Sequence, residues 1–393
     1  MYLIPLFISL LLTAAIIERI FHQKYVQSIP VRININGVRG KSTVTRLVTG
    51  IVTEAGYKTV GKTTGTSARM IVWDQQEEIP MIRDPEGPNI KEQKKVIKDA
   101  SKRGADVLIS ECMAVQPDYQ ITFQEVLLQA NIGVIVNVLE DHMDVLGPTL
   151  DDVADSFVAT IPYKGTLIIN QSAYTSRYLQ EAKKRQTKVI IAEPDRVSED
   201  YLRKFSYLIF PENAALALAV AQALHIDETT AKVGMLNASP DPGALRIEKI
   251  TYEETTSPFV NAFAANDPHS TLAIWERVQL LGYSKERPIV IMNCRADRLD
   301  RTEQFAEDVL TKIDIYTLIL IGEGTEPIVR AFNEGKIEAN QLINLEGKST
   351  AEVTRAVYEH VSGDVMFGIG NIHGAAEGLL KEVQKRSEEE IAS

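Results

Sequence analysis

The residues in this chain best suited to chemistry lie in the octet NGVRGKST, residues 36–43, and all of them bear on phosphate. Gly37 and Gly40 let the backbone bend so that successive N–H groups converge on an anion, and a helix opening near Lys41 adds its positive dipole end. Lys41 can then reach the β- and γ-phosphates of a nucleotide, with the Ser42 or Thr43 hydroxyl on Mg²⁺. The spacing is GxxGKST, two residues shorter between the glycines than the common GxxxxGK[ST] pattern. A second group of reactive side chains follows. Glu111 ends the apolar run ADVLISE (105–111), and IGVIVNVLEDHMD (132–144) carries Asn137, Asp141, His142 and Asp144. Acidic groups and a histidine at the carboxyl ends of parallel strands, beside a phosphate loop, can hold a divalent metal bound to ATP.

These residues need a strand before each loop and a helix after it. VRINI (31–35) alternates as a strand, and the apolar positions of VTRLVTGIVTEAG (44–56) recur at helical spacing. YKTVGKTTGTSARM (57–70) reads as a short strand and a Gly/Thr-rich loop, which puts Thr64 and Thr66 near the first loop if both strands share a parallel sheet. KEQKKVIKDASKR (91–103) is a helix with strongly basic exposed faces, either a solvated surface or a guide for a polyanion. NASPDPGALR (237–246) interrupts any helix and reads as an interdomain linker. Beyond it, FVNAFAA (259–265), PIVIMNC (288–294), YTLILIG (316–322) and DVMFGIG (364–370) alternate with helical stretches, the pattern of a parallel βαβ sheet.

Composition sets the outer limits. At 393 residues the chain exceeds the size of a single hydrophobic core, and its 45% hydrophobic and 24% charged residues are those of a folded protein. Cys112 and Cys294 have no metal-type spacing and fit a reducing compartment. The net charge of −11 argues against general nucleic-acid binding, so an anionic substrate needs a locally basic site. Residues 1–17, MYLIPLFISLLLTAAII, hold no charge and reach about 25 Å as a helix, and Ile20 and Phe21 extend the stretch. We expect a membrane anchor over 1–21. Arg19, Lys24 and Arg32 follow the apolar run and no Lys or Arg precedes it, which leaves the remainder on the cytoplasmic side.

Taken together, these strings resemble the Mur ligases and folylpolyglutamate synthases, ADP-forming amide ligases. The family's phosphate loop is similar to NGVRGKST, which implies nucleotide contacts from Gly37, Arg39, Gly40, Lys41, Ser42 and Thr43. Its metal-binding glutamate resembles Glu111 in SECM (110–113), and its Asn-x-x-x-Asp-His-x-Asp motif is matched by NVLEDHMD (137–144), giving His142 as a ligand beside Thr43. Its adenine-contacting asparagine resembles Asn213 in PENAALALA (211–219). AANDPHST (264–271) is similar to the family's post-linker turn, with Asn266 facing substrate, and NCRADRLDRT (293–302) resembles the loop that covers the nucleotide, with Arg295, Asp297 and Arg298. Thr64, Thr66, Arg246 and Arg301 complete the candidate substrate contacts. Two features depart from the family. Its first nucleotide-sugar-binding domain is replaced by the apolar segment, and ADSFVATIP (154–162) lacks the lysine that many members carbamylate.

The resemblance implies an α/β fold: a P-loop-containing, Mur-ligase-like central domain over 30–240, a smaller Rossmann-like domain over 245–393, and a membrane helix before both. It implies ATP and Mg²⁺, with Mn²⁺ as a substitute, and Lys41, Glu111 and His142 as the catalytic set. Within the family, the anchored form without a first domain resembles ligases that join glutamate into poly-γ-glutamate beside other membrane subunits, with self-association left open. The residues themselves also admit a P-loop ATPase or nucleotide-binding subunit that energises a membrane polymer-export complex.

Overall fold

The computed structural model describes residues 3–64, 68–81, 92–241, 244–265, 267–283 and 286–392. The chain divides into two compact units, Met1–Phe205 with Ile209–Ala244 and Ser206–Leu208 with Leu245–Ser393. Thr66 and Asn266, both expected to meet substrate, lie outside the described residues.

The first unit opens with a long helix, α1 (Leu3–Gln27), and its apolar side chains from Ile4 to Phe21 are exposed. Among the described residues it is the one helix long and apolar enough to cross a membrane, with mean hydropathy 2.0 over the span. The helix continues six residues past the expected end of the anchor, and there its sequence changes role. His22 and Val26 are buried, at 8% and 1% exposure.

Among the described residues, an eight-stranded sheet follows: β1 (Val31–Asn36), β2 (Thr59–Lys62), β3 (Arg69–Val72), β4 (Ile79–Pro80), β5 (Val107–Glu111), β6 (Ile132–Ile135), β7 (Thr166–Asn170) and β8 (Lys188–Ala192). Its order is β4-β3-β2-β5-β1-β6-β7-β8. β1 is central and parallel to both neighbours, with Ile35 opposite Glu111 on one side and Val134 on the other. Parallel strands deliver their carboxyl ends to one edge. The loop after β1, the end of β5 and the residues after β6 are therefore neighbours. The sheet is not parallel throughout, because β3 pairs antiparallel with β2 and β4 pairs antiparallel with β3.

Both faces of β1 are covered. Ile33 and Ile35 are fully buried, as are Val44, Leu47, Val48 and Ile51 of α2 (Lys41–Glu54). The alternate residues of the strand, Asn34 and Asn36, turn to the other face and donate to Gln124 Oε1 (3.0 Å) and Gln120 Oε1 (2.8 Å). Gln124 lies in a π-helix, Thr122–Leu128, an uncommon form that frequently marks functional regions. α2 also packs closely against the helix Glu228–Asn237: a Cβ on Gly50 would stand 2.2 Å from the Gly234 carbonyl oxygen. A third helix, α3 (Glu92–Lys102), buries Val96, Ile97 and Ala100 and leaves Lys95, Lys98 and Lys102 exposed.

Arg46 breaks the apolar pattern of α2 and is 1% exposed. Its guanidinium pairs with the Glu78 carboxylate, with Nη2 to Oε2 at 2.9 Å, lies 3.6 Å from Asp241 Oδ2, and donates to the Ser239 carbonyl oxygen at 3.2 Å. A buried cation survives only with such neighbours.

The second unit is built, among the described residues, on a six-stranded sheet: β9 (Ile247–Tyr252), β10 (Thr255–Asn261), β11 (Ile289–Cys294), β12 (Ile315–Gly322), β13 (Ala339–Glu346) and β14 (Met366–Gly370), in the order β13-β12-β11-β14-β10-β9. β9 is antiparallel to β10, so the all-parallel expectation fails at this edge too. The strand expected over 259–265 is shifted toward its amino end. Thr255–Asn261 pairs as a hairpin with β9 around Glu253, at φ 53°, and Ala262 leaves the ladder to donate to the Gly368 carbonyl oxygen.

Removing one partner of a buried ion pair leaves the other charge unpaired and typically costs about 3–5 kcal/mol. Arg46→Ala should therefore lower the urea midpoint of the first unit strongly, and Glu78→Gln should do so less, because Glu78 retains partial solvation. A midpoint unchanged in Arg46→Ala would show that the pair does not hold α2.

Candidate active site

The loop after β1 is held open by its glycines and clamped by a distant asparagine. Gly37 at φ 125° and Gly40 at φ 84° occupy backbone conformations that side chains disfavour. Space is tight as well: a Cβ on Gly37 would lie 3.0 Å from the Val136 amide, and one on Gly40 would lie 2.9 Å from Asn213 Oδ1 and displace that side chain. Asn137 Oδ1 accepts from the amides of Val38 (3.2 Å) and Arg39 (3.0 Å), and its Nδ2 donates to the Arg39 carbonyl oxygen (3.0 Å). One side chain thus fixes three backbone groups of the phosphate loop. Sequence reasoning placed Asn137 in the motif without this role. The signal was present, since an asparagine just past a strand beside a glycine loop has both a donor and an acceptor to offer.

Lys41 opens α2, and its Nζ donates to the carbonyl oxygens of Gly37 (2.8 Å) and Val38 (2.9 Å). Next to it, Ser42 Oγ donates to Glu111 Oε2 at 2.8 Å, and the same oxygen accepts from the Thr64 amide at 2.7 Å. Three elements therefore converge on a carboxylate that is 3% exposed. The hydroxyl brought to Glu111 is that of Ser42, while Thr43 is half-buried one residue further along the helix. Asn213 enters from the first turn of the helix Pro211–Ala223, with its amide against Gly40.

Arg39, Asp141 and His142 form the rim of this group. Arg39 lies 3.6 Å from Asp141, and the His142 ring, 57% exposed, lies 3.8 Å from the same carboxylate. His142 itself has left-handed backbone, φ 49°, at the start of the short helix Met143–Leu146. Among the described residues no group of three or more His, Cys, Asp and Glu side chains is gathered for a metal ion. The donors beside the loop are one hydroxyl and one carboxylate. Mg²⁺ suits such a set, because it keeps several waters and usually binds one or two protein oxygens together with phosphate.

Cys112 follows Glu111 directly. Burial pushes its thiol up to about 11, against smaller opposing effects from the Ala114 amide, Lys41 and Lys62. The thiol therefore stays protonated and plays no nucleophilic part at neutral pH. Cys294 in the second unit is likewise pushed up by burial, to about 12.

In the second unit the expected residues separate. Arg295 and Asp297 bind each other through two parallel hydrogen bonds, 3.0 and 2.7 Å, and the hydrogen bond from Arg295 holds the Asp297 carboxyl below its ordinary range. Arg298 is exposed at the head of the helix Leu299–Asp308, and Arg246 is exposed just before β9. Arg301 donates to Asn371 Oδ1 at 2.6 Å, and desolvation lowers its pKa. Asn371 in turn donates to the Asn293 carbonyl oxygen, while Asn293 Nδ2 donates to the Asn371 and His373 carbonyl oxygens. Asn293 and Asn371 are both buried and join the ends of β11 and β14, a connection the sequence did not reveal. Asp267 caps the helix Pro268–Leu280 by accepting from the Ser270 amide at 2.8 Å.

A phosphate loop on the central strand, with Ser42 and Glu111 in contact beside it, defines the class. The family model described as the Mur ligase middle domain matches residues 35–235, and the chain is folded as a Mur-type ligase. A second family model, the poly-gamma-glutamate synthase CapB C-terminal domain, matches residues 247–386. The chain is 59% identical over 393 residues, the whole of both chains, to PGA synthase CapB of Bacillus subtilis (strain 168). It is 59% identical over 368 residues to the capsule biosynthesis protein CapB of Bacillus anthracis, covering 94% of this chain and 79% of that one. In three dimensions it is similar to E. coli FolC in complex with ADP, without folate substrate, at TM-score 0.61 and 15% identity over 93% of this chain and 92% of that one. The chain belongs to the CapB family of poly-γ-glutamate synthases.

Asn137→Ala leaves two loop donors and one acceptor without protein partners, at roughly 1–3 kcal/mol. The expected result is ADP binding weakened about tenfold to a hundredfold by titration calorimetry, with Asn137→Asp in between because its acceptor survives. Wild-type affinity in the folded Asn137→Ala protein would dismiss the clamp.

Proposed function

We propose that this chain is an ADP-forming ligase that activates a γ-carboxylate of glutamate or poly-γ-glutamate as an acyl phosphate and joins it to the amine of the next glutamate. The observation that carries this reading is the gathering of Lys41, Ser42, Glu111 and the Thr64 amide around the glycine loop of a Mur-type fold. A carboxylate does not condense with an amine at neutral pH, because its leaving group would be oxide. In the first step a carboxylate oxygen of the substrate bonds to the γ-phosphorus and the bond to ADP breaks. In the second the substrate ammonium group gives up a proton, the resulting amine nitrogen bonds to the acyl carbon, the bond to phosphate breaks, and the nitrogen loses a second proton as the amide forms, one of the two leaving with phosphate.

Asn137 holds the Val38 and Arg39 amides and so fixes the bend of the loop, the head of α2 offers its free amide ends to the phosphates, and Lys41 exchanges its two loop carbonyls for phosphate oxygens. Ser42 and Glu111 are the residues that would hold Mg²⁺, which supplies charge neutralisation for the transferred phosphoryl group. His142 and Thr43 belong to this reading as additional ligands. Asn213 packs on Gly40 and is assigned to the adenine side. Arg301, held by Asn371, presents a planar donor face suited to a substrate carboxylate. We place the anchor in 1–21 with the ATP-binding domain over 30–240 and the C-terminal domain over 245–393. The bulk of the chain then lies on the cytoplasmic side, beside other membrane subunits that take the polymer.

Hydroxylamine added during turnover should trap a glutamyl hydroxamate, with ADP and hydroxamate appearing in step. Release of AMP and pyrophosphate, or ADP formation that never depends on glutamate or its polymer, would overturn the ligase reading. Lys41→Ala should keep the fold and lower turnover by about 10²–10³, the usual cost of one preorganised transition-state donor. Near-normal turnover in that variant would remove Lys41 from the mechanism.

A further inference from the structure

α1 leaves the first unit in a defined direction. Its last turns are seated in the protein, with Val26 buried and His22 Nε2 at 2.9 Å from the Leu127 carbonyl oxygen. Two contacts fix its sense against α3: Ser28 Oγ lies 2.7 Å from Ser101 Oγ, and Lys94 Nζ lies 2.7 Å from Glu18 Oε1. The two helices therefore run side by side in the same direction. Ser28 precedes β1 and Ser101 precedes β5 by a few residues, so this end of the pair belongs to the amino ends of the strands.

The opposite end is level with the carboxyl ends. Gln93, adjacent to Lys94, accepts from Ser110 Oγ at 3.2 Å, and Ser110 is in register with Asn34. The next residues along these two strands are Glu111 and Ile35, and one more step on β1 leads to Asn36 and the phosphate loop. Glu18 thus stands beside the rim on which the nucleotide loop is built. Everything before it, the uncharged and exposed stretch from Ile4 to Ile17, projects beyond that rim by about 20 Å at the helical rise of 1.5 Å per residue.

Resting on the reading of α1 as the membrane anchor, we infer that the first unit stands with the carboxyl rim of its sheet, and with it the phosphate loop, turned toward the bilayer. The charges at the exit point fit an anionic lipid surface. Arg19 and Lys95 are exposed there, Lys94 is paired with Glu18, and Lys24, one turn before Ser28, carries its ammonium group back over the Phe21 ring, in a chain whose net charge is −11. Basic groups near such a surface each contribute about 1 kcal/mol of attraction. Lys24 Nζ lies 5.7 Å from the Phe21 ring centroid, a pairing of apolar body and charged tip suited to a headgroup layer. The opposite orientation would need α1 to depart at Ser28, where Pro30 instead turns the chain directly into β1. Carboxylate activation therefore takes place next to the headgroups, and the polymer end is released at the membrane surface.

The test uses the full-length chain in phosphatidylglycerol-containing vesicles whose headgroups carry a nitroxide quencher. The native cysteines are buried, so single reporters are introduced as Val145→Cys, exposed after the carboxyl end of β6, and Lys102→Cys, exposed at the amino-end side and closer to α1. The Val145→Cys fluorophore should lose most of its emission and the Lys102→Cys fluorophore should keep it. Equal quenching, or quenching at Lys102→Cys alone, overturns the orientation while leaving the anchor intact. A chain that washes off the vesicles at alkaline pH overturns the anchor and the orientation together. Quenching at Val145→Cys that added poly-γ-glutamate abolishes would assign the basic rim to polymer and overturn the lipid partner.

Discussion

The first unit depends on a single buried carboxylate oxygen. Glu111 Oε2 receives Ser42 Oγ from the start of α2 and the Thr64 amide from the loop after β2, while its own backbone is paired to β1. A carboxylate that is almost entirely out of water needs donors, and here they come from two segments, α2 and the loop after β2, and tie both to the end of β5. The arrangement is local in space and scattered in sequence. A change in any one of the three segments is felt by the other two through an atom that cannot tolerate losing a partner.

Much of this site was legible because glycine and strand direction leave little choice. The string NGVRGKST after an alternating strand implies a bent loop, and the observed φ values of 125° and 84° are those that glycine alone adopts easily. Glu111 at a strand end followed from an apolar run that stops at a charge. Other features need distances between residues far apart in sequence, which spacing does not encode. Asn137 reaches amides 98 and 99 residues away, and the choice of Ser42 over Thr43 at Glu111 depends on the rotational phase of α2. The antiparallel edges β3, β4 and β9 were missed because a strand's own residues do not name its neighbour's direction. The π-helix has no composition of its own, although Asn34 and Asn36 in an otherwise apolar strand asked for polar partners.

The second unit shows a different economy. Its candidate arginines are not collected by one carboxylate. Arg295 is engaged with Asp297, whereas Arg301 is positioned by Asn371, and Asn371 is locked to Asn293 across two strand ends. Desolvated guanidinium groups bind carboxylates more strongly than exposed ones, because less water is displaced on contact. Arg301 thus stands apart from its neighbours in the loop by the rigidity of what lies behind it. A guanidinium fork fixed in this way is preorganised, so it loses little side-chain freedom when it meets a planar anion.

Arg46 carries a consequence for how the protein opens. Its guanidinium joins α2 to Glu78, to the Ser239 carbonyl and to Asp241, the last residues before the chain passes into the second unit. Local unfolding proceeds in cooperative blocks, and elements tied through a buried charge cannot separate without exposing it. α2, the hairpin after β3 and the segment at 239–241 therefore form one exchange unit. Their amides should share a single opening free energy, and a tight hold on phosphate at the head of α2 would slow hydrogen exchange as far away as the segment that leads into the second unit.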